Sequence, residues 1–368
     1  MKSNPLLELR KFGQRVWLDY IRRDLIDGGR LATMIGDDGL AGITSNPNIF
    51  EDAIARHDFY DDRIARLRAA GADAARAYQE LTTGDVRDAA DLLSTAWRDS
   101  GGRDGLVSLE VSPWLADNAQ ATVEEAKLLW QTVARPNLMI KVPGTSAGLT
   151  AIEELIAAGI NINVTLLFSV ARYRDVVEAF QSGLEHRRRH GEPVAGIQSV
   201  ASFFISRIDT LVDARIDALV KRSPEVGALR GTAAVGCARL AYRHYLAWTD
   251  SERWRALAAA GASPQRLLWA STSTKDPAYP EVRYVEELIA PDTVTTLPPA
   301  TMDAYRACGQ PTARLAPGIE AAAADLARLE AAGFDLEEVA ARLEHDGVDK
   351  FAAAHDSLLA TLAERLGA

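Results

Sequence analysis

The chain is predicted to be an α/β protein, a closed (β/α)8 TIM barrel with additional helices at its C-terminus. Short apolar segments alternate with longer amphipathic ones, which favours parallel strand pairing. There are eight such units, enough to close a barrel. Several apolar segments also carry polar residues at every second position, so those residues share one inward face. A doubly wound open sheet is the alternative for the same alternation.

The strands are expected at 15–20, 40–45, 106–112, 138–143, 161–168, 196–204, 266–271 and 292–297. On the first, Asp19 alternates with Leu18 and Tyr20. The second ends in Thr44 and Asn46, within Gly42-Ile43-Thr44-Ser45-Asn46-Pro47. The third turns Val107, Leu109 and Val111 outward and Ser108, Glu110 and Ser112 inward. The fourth turns Leu138, Ile140 and Val142 outward and carries Lys141 between them. The fifth turns Ile160, Ile162, Val164 and Leu166 outward, leaving Asn161, Asn163 and Thr165 inside. Helical patterns at 116–134, 146–158, 169–189 and 206–222 begin with small or polar residues. From 317 to 368 there is no strand signal. An alanine-rich helix at 319–332 stops at Gly333-Phe334-Asp335, where Asp335 can cap the next helix and Glu338 complete a capping box. No linker or repeat calls for a second domain, so residues 1–368 read as one unit, with the barrel at about 15–305.

A formal net charge of -10 disfavours broad attraction to nucleic acid or anionic membrane, and any anionic substrate must be held by a local cluster of cations. The one dense basic run, His186-Arg187-Arg188-Arg189-His190, closes a helical stretch, solvating a surface and complementing the helix C-terminus. Cys237 and Cys308 are far apart and in no ligand-like pattern. The first residues lack a secretory signal pattern and no stretch of membrane-spanning length is apolar. A cytoplasmic protein, monomeric or homodimeric, is the expectation.

Lys141 is the residue most at odds with its surroundings. Desolvating an unpaired ammonium costs several kcal/mol, so a lysine inside a core strand tends to lose its proton, and a neutral lysine amine attacks carbonyls to form Schiff bases. The alternative is a lysine whose stem is buried while its head escapes at the strand end. Polar residues on the neighbouring strands favour the first: a nucleophile, two carboxylates, amides and hydroxyls converge on one axis. Glycine-rich phosphate loops, HExxH spacings and Ser/His pairs are absent, so no nucleotide, flavin, metal or other cofactor is implied.

These residues resemble the transaldolase family in its longer bacterial branch. The resemblance rests on Gly42 to Pro47, Val107-Ser108-Leu109-Glu110-Val111, Leu138-Met139-Ile140-Lys141-Val142-Pro143, the run Gly159 to Ser169, and Ala201-Ser202-Phe203-Phe204-Ile205-Ser206-Arg207-Ile208-Asp209. It implies a class I aldolase mechanism on phosphorylated sugars. Lys141 would form the Schiff base with the ketose, and Asp19 would be the general base for carbon–carbon cleavage. Glu110 and Thr165 would hold the water that shuttles protons during imine formation. Thr44, Asn46, Asn163, Ser202 and Phe204 would hold the three-carbon fragment, and Arg207 would bind phosphate. Lys275 stands where shorter relatives carry a second phosphate-binding arginine, and an ammonium supplies no bidentate fork. Another lysine aldolase, such as a deoxyribose-phosphate or fructose 6-phosphate aldolase, or a non-catalytic barrel scaffold, are the rival readings.

Overall fold

The computed structural model describes residues 4–221 and 223–367. Its strands are β1 (Arg15–Asp19), β2 (Gly42–Thr44), β3 (Leu106–Glu110), β4 (Leu138–Pro143), β5 (Ile162–Leu167), β6 (Ser199–Phe204), β7 (Arg266–Ala270) and β8 (Thr293–Leu297). They pair in sequential order, all parallel, and β8 returns to β1. That closing pair excludes the open-sheet alternative, and it leaves no unpaired edge. The expected strands are all present, β4 over its expected residues and the others shorter at their ends.

The helices that position the site are α1 (Pro47–Ala55), α2 (Ala74–Leu92), α3 (Ala119–Val133), α4 (Ser146–Ala157), α5 (Val170–Arg189), α6 (Ser206–Leu219), α7 (Ala233–Thr249), α8 (Pro299–Cys308), α9 (Ile319–Ala331) and α10 (Leu336–Leu366). Polar side chains just past the strands start several of them. Asn46 Oδ1 accepts from Ile49 N, Asn118 from Ala121 N, Thr145 Oγ1 from Gly148 N and Ser169 Oγ from Arg172 N. Each satisfies an otherwise orphaned amide of the first turn. Asn46 is therefore a helix cap and not a strand end. Gly148 is required for the tight turn after β4, since a Cβ there would lie 1.9 Å from the Pro143 carbonyl oxygen.

The basic run ends α5 at the surface, as expected, and it also braces loops: Arg187 donates to Pro193 O at 2.6 Å and to Ala157 O at 3.1 Å. The expected end of α6 at Arg222 lies outside the described residues. Asn161, read as lining the lumen, is instead a satisfied structural amide at the start of β5. Its Nδ2 donates to Pro136 O and Leu138 O and its Oδ1 accepts from Gln198 N. Among the described residues no helix is long and apolar enough to cross a membrane.

The C-terminal segment decides the shape of the barrel's mouth. Asp335 caps α10, accepting from Glu337 N and Glu338 N at 3.0 Å, but Glu338 turns away from the cap to meet Arg215 at 3.4 Å, so the box is half formed. From there α10 crosses the C-terminal ends of the strands, packing on α1, α2, α6, the end of β5 and the turn Pro113–Leu115. Gly347 lets it come close: a Cβ there would stand 2.9 Å from Leu166 Cδ2.

Candidate active site

Strand register assembles the site. Glu110 pairs in register with Lys141, Lys141 with Asn163, and Asp19 with Thr44. Residues in register on neighbouring parallel strands point to the same side, so these form inward rows near the strand ends. The C-terminal mouth is where barrels of this kind carry their chemistry.

Lys141 is 3% exposed, so its head does not escape at the strand end. Its Nζ stands 3.1 Å from Glu110 Oε2, donates to Ser45 O at 3.0 Å, and lies 5.7 Å from the Phe351 ring centroid. The lysine is thus paired, which corrects the unpaired charge suggested by its own strand: the partner sits on β3, which that strand alone does not reveal. Burial pushes the Glu110 carboxyl above the usual carboxylate range, and Lys141 opposes the shift. A carboxyl raised in this way is disposed to hold a proton beside the lysine amine.

Asp19 faces the same space from β1. Burial raises its carboxyl above the usual range, opposed first by Lys141, then by Arg207 and Lys275. Thr44 Oγ1, Thr165 Oγ1 and Glu110 Oε1 are buried without a hydrogen-bond partner among the described residues, leaving them available to substrate or water. Asn163 is already engaged: its Nδ2 donates to Ser108 Oγ at 2.9 Å and its Oδ1 accepts from Ser202 Oγ at 2.7 Å.

The cations lie on the opposite rim. Arg207 stands in the first turn of α6, its guanidinium 5.2 Å from the Phe204 ring. Ser206 N donates to Ser271 O at 3.0 Å and the two serine hydroxyls are 2.9 Å apart. Ser271 has a φ of 54°, a left-handed conformation uncommon for serine. This tie holds the loop after β7 against α6, bringing Ser273 and Lys275 onto the same wall as Arg207. Lys275 Nζ donates to Ser273 Oγ at 2.7 Å. Partial burial lowers the Lys275 pKa, and the neighbouring charges of Lys350 on α10 and of Arg207 lower it further. Crowded cations of this kind favour an anion between them.

A cavity of about 320 Å³ joins the two walls, lined among others by Asp19, Thr44, Asn46, Lys141, Thr165, Ser202, Phe204, Arg207 and Lys275. Of the residues expected at the site, only Glu110 and Asn163 do not line it; they lie beneath, in contact with residues that do. Tyr20, Asn48, Asp52 and Phe351 also line it and were missed. Asn48 and Asp52 were findable, being four apart on the helix that Asn46 caps. Phe351 was not, since nothing in a helical pattern at the far end of the chain points to Lys141.

Such a site, an enclosed amine beside a carboxylate with a second carboxylate across a cavity, suits imine chemistry on a small carbonyl compound. Comparison with known proteins places the chain. A family profile described as Transaldolase/Fructose-6-phosphate aldolase matches residues 16–362. A transaldolase of Frankia alni is 48% identical over 366 residues, covering 99% of this chain and 98% of that one. A transaldolase of Thiobacillus denitrificans is 47% identical, covering 98% and 99%, and a transaldolase 2 of Streptomyces coelicolor is 48% identical, covering 97% and 96%. The chain belongs to the transaldolase/fructose-6-phosphate aldolase family and is an enzyme of the transaldolase type.

Proposed function

We propose that the enzyme transfers a dihydroxyacetone unit from a ketose phosphate, sedoheptulose 7-phosphate or fructose 6-phosphate, to an aldose phosphate through a Schiff base on Lys141. The observation that carries this is the shared cavity: Lys141 with Glu110 behind it, Asp19 across from it and Arg207 on the rim. Glu110 takes the ammonium proton and, with Thr165, holds the water that moves protons as the carbinolamine loses hydroxide. Asp19 then removes the proton from the C4 hydroxyl, the C3–C4 bond breaks, and the aldose phosphate leaves. The three-carbon unit stays on Lys141 as an enamine, held by Thr44, Asn46, Ser202 and Phe204, with Asn163 orienting Ser202. An incoming aldehyde accepts it, Asp19 returns the proton, and water then adds to the new imine so that the C–N bond breaks, freeing the ketose phosphate and the Lys141 amine. The whole chain works as one domain, in the cytoplasm, where free sugar phosphates are the substrates; it does so as a monomer or homodimer.

The test is fructose 6-phosphate with and without erythrose 4-phosphate. With the acceptor, sedoheptulose 7-phosphate should form continuously. Without it, glyceraldehyde 3-phosphate release should stop near one equivalent per site. Sustained release of free dihydroxyacetone without acceptor would make the enzyme a simple aldolase.

Phosphate recognition gives a separate expectation. With a net charge of -10 the long-range field repels sugar phosphates, so affinity must come from the rim cations. Removing a charge-assisted contact of about 1.5–3 kcal/mol weakens binding roughly tenfold to a hundredfold. Arg207→Ala should raise KM for erythrose 4-phosphate by that factor and leave unphosphorylated glyceraldehyde almost unaffected, and Lys275→Ala should act in the same direction more weakly. An equal loss with both acceptors would move the phosphate site elsewhere.

A further inference from the structure

Among the described residues Phe351 is the ring that stands over Lys141 Nζ, and it belongs to no strand or strand-end loop of the barrel. It comes from the middle of α10, is 2% exposed, and lines the cavity with its ring centroid 5.7 Å from the amine. The helix that carries it is fastened to the mouth along its length. Glu344 approaches Arg172 at 3.4 Å, Asp356 accepts from Trp114 Nε1 at 2.9 Å, Ser357 donates to Glu51 at 2.7 Å, and Arg365 donates to Ile54 O at 2.8 Å. Gly347, one turn before Phe351, seats the helix against Leu166 and faces the Arg207 guanidinium. A strap latched at several separate points and passing this close to a reacting amine does more than cover apolar surface.

We propose that Phe351 sets how the covalent intermediate is divided between transfer and hydrolysis, by keeping water, the source of the proton, from the enamine carbon. The inference rests on the Schiff-base reading above. After cleavage, Lys141 carries the three-carbon enamine. Hydrolysis begins when a proton adds to the enamine carbon and gives the iminium. A water molecule from solvent then adds to C2 and loses a proton. The resulting carbinolamine is protonated at nitrogen, its C–N bond breaks, and free dihydroxyacetone leaves the amine of Lys141. Release of the transferred ketose also takes up water at C2, the atom bonded to Nζ, so the two fates part at the first step, where the enamine carbon takes either a proton or the aldehyde. One face of the amine already meets Glu110 and the Ser45 carbonyl. The Phe351 ring stands over it from the side of the mouth, where solvent would enter. Apolar coverage there withholds from the enamine carbon the water-borne proton that hydrolysis needs and that the aldehyde replaces in transfer.

Two variants test this. Phe351→Leu keeps an apolar side chain and should disturb the seating of α10 little, whereas Phe351→Ala opens the space. The quantity to measure is free dihydroxyacetone released per unit transferred, with fructose 6-phosphate and erythrose 4-phosphate, alongside borohydride trapping of the intermediate on Lys141. Native enzyme should give the lowest ratio, Phe351→Leu a higher one and Phe351→Ala the highest, by roughly tenfold or more, the scale on which a single pocket contact discriminates between competing reactants. Trapping on Lys141 should persist in both. A ratio unchanged in Phe351→Leu and Phe351→Ala would overturn the proposal, because a purely structural ring would lower transfer and hydrolysis together. Loss of trapping in Phe351→Leu would overturn it as well, placing the ring in imine formation. Trapping by the native enzyme tests the Schiff-base reading itself, so failure of that reading is seen separately from failure of the role given to Phe351.

Discussion

Replacing Lys141 by methionine should lower kcat by about 10⁴-fold or more, the scale expected when a covalent nucleophile is lost. Borohydride added with fructose 6-phosphate should inactivate the native enzyme and add a dihydroxyacetone-derived mass to the peptide containing Lys141, and should do neither to the variant. Labelling at another lysine would refute the assignment. The same substitution bears on stability, because Glu110 is 7% exposed and loses its partner. Breaking a buried ion pair from one side costs roughly 3–5 kcal/mol. The Glu110 carboxyl is already raised by burial, and without Lys141 the opposing attraction is gone. A carboxylate raised in the folded state binds more protons folded than unfolded, so stability falls as pH rises through that range and returns on acidification. Lys141→Met should therefore melt well below the native enzyme at neutral pH and recover ground as the pH is lowered. Adding Glu110→Gln should restore most of the melting temperature and none of the activity. A double variant as unstable as the single one would show that the pair is not what couples these residues.

Asp19→Asn should separate cleavage from imine formation. General acid/base groups contribute roughly 10²- to 10⁴-fold, and the loss in kcat should fall in that range while borohydride still traps substrate on Lys141. Glu110→Gln should do the reverse, slowing the trapping itself, since Glu110 and not Asp19 touches Nζ. Equal trapping defects would mean that the roles have been divided wrongly. Asp19 also carries a stability signature. Burial raises its carboxyl, so the ionised form costs stability above that raised pKa, and this cost disappears as pH falls through it. Asp19→Asn should then melt higher than the native enzyme at neutral pH, with the margin shrinking in acid. A less active, more stable variant is what a site built for chemistry rather than for stability yields.

The barrel was legible because its signals are local. A parallel strand covered on both faces must be apolar, and an inward polar residue must then fall at every second position, so β3, β4 and β5 showed both their faces in the one-dimensional pattern. The same alternation marked Lys141, Glu110, Asn163 and Thr165 as sharing a face, and proximity to the strand ends put them near the mouth. What these residues do for one another depended on register and loops. That Glu110 stands beside Lys141 follows from the pairing of β3 with β4, which no single segment contains. Asn46 proved to cap a helix as well as line the cavity, and Asn161, read as a lumen residue, proved to be a structural amide with both ends occupied.

By itself the sequence determined the class of fold, the strands whose polar residues face the lumen and the lysine placed among them, because periodicity and residue type are properties of short stretches. The tertiary structure alone decided that the lysine is paired and not solitary, that the loop after β7 is tied to α6 so that Lys275 and Arg207 share a wall, and that α10 crosses the mouth and sets Phe351 over the amine. Those outcomes join residues up to 311 positions apart, as Arg365 is from Ile54, and are fixed by closure of the barrel and by packing across its mouth. Contacts of that kind leave no mark on local hydrophobic pattern, since a phenylalanine facing a buried amine and one facing a leucine are written the same way.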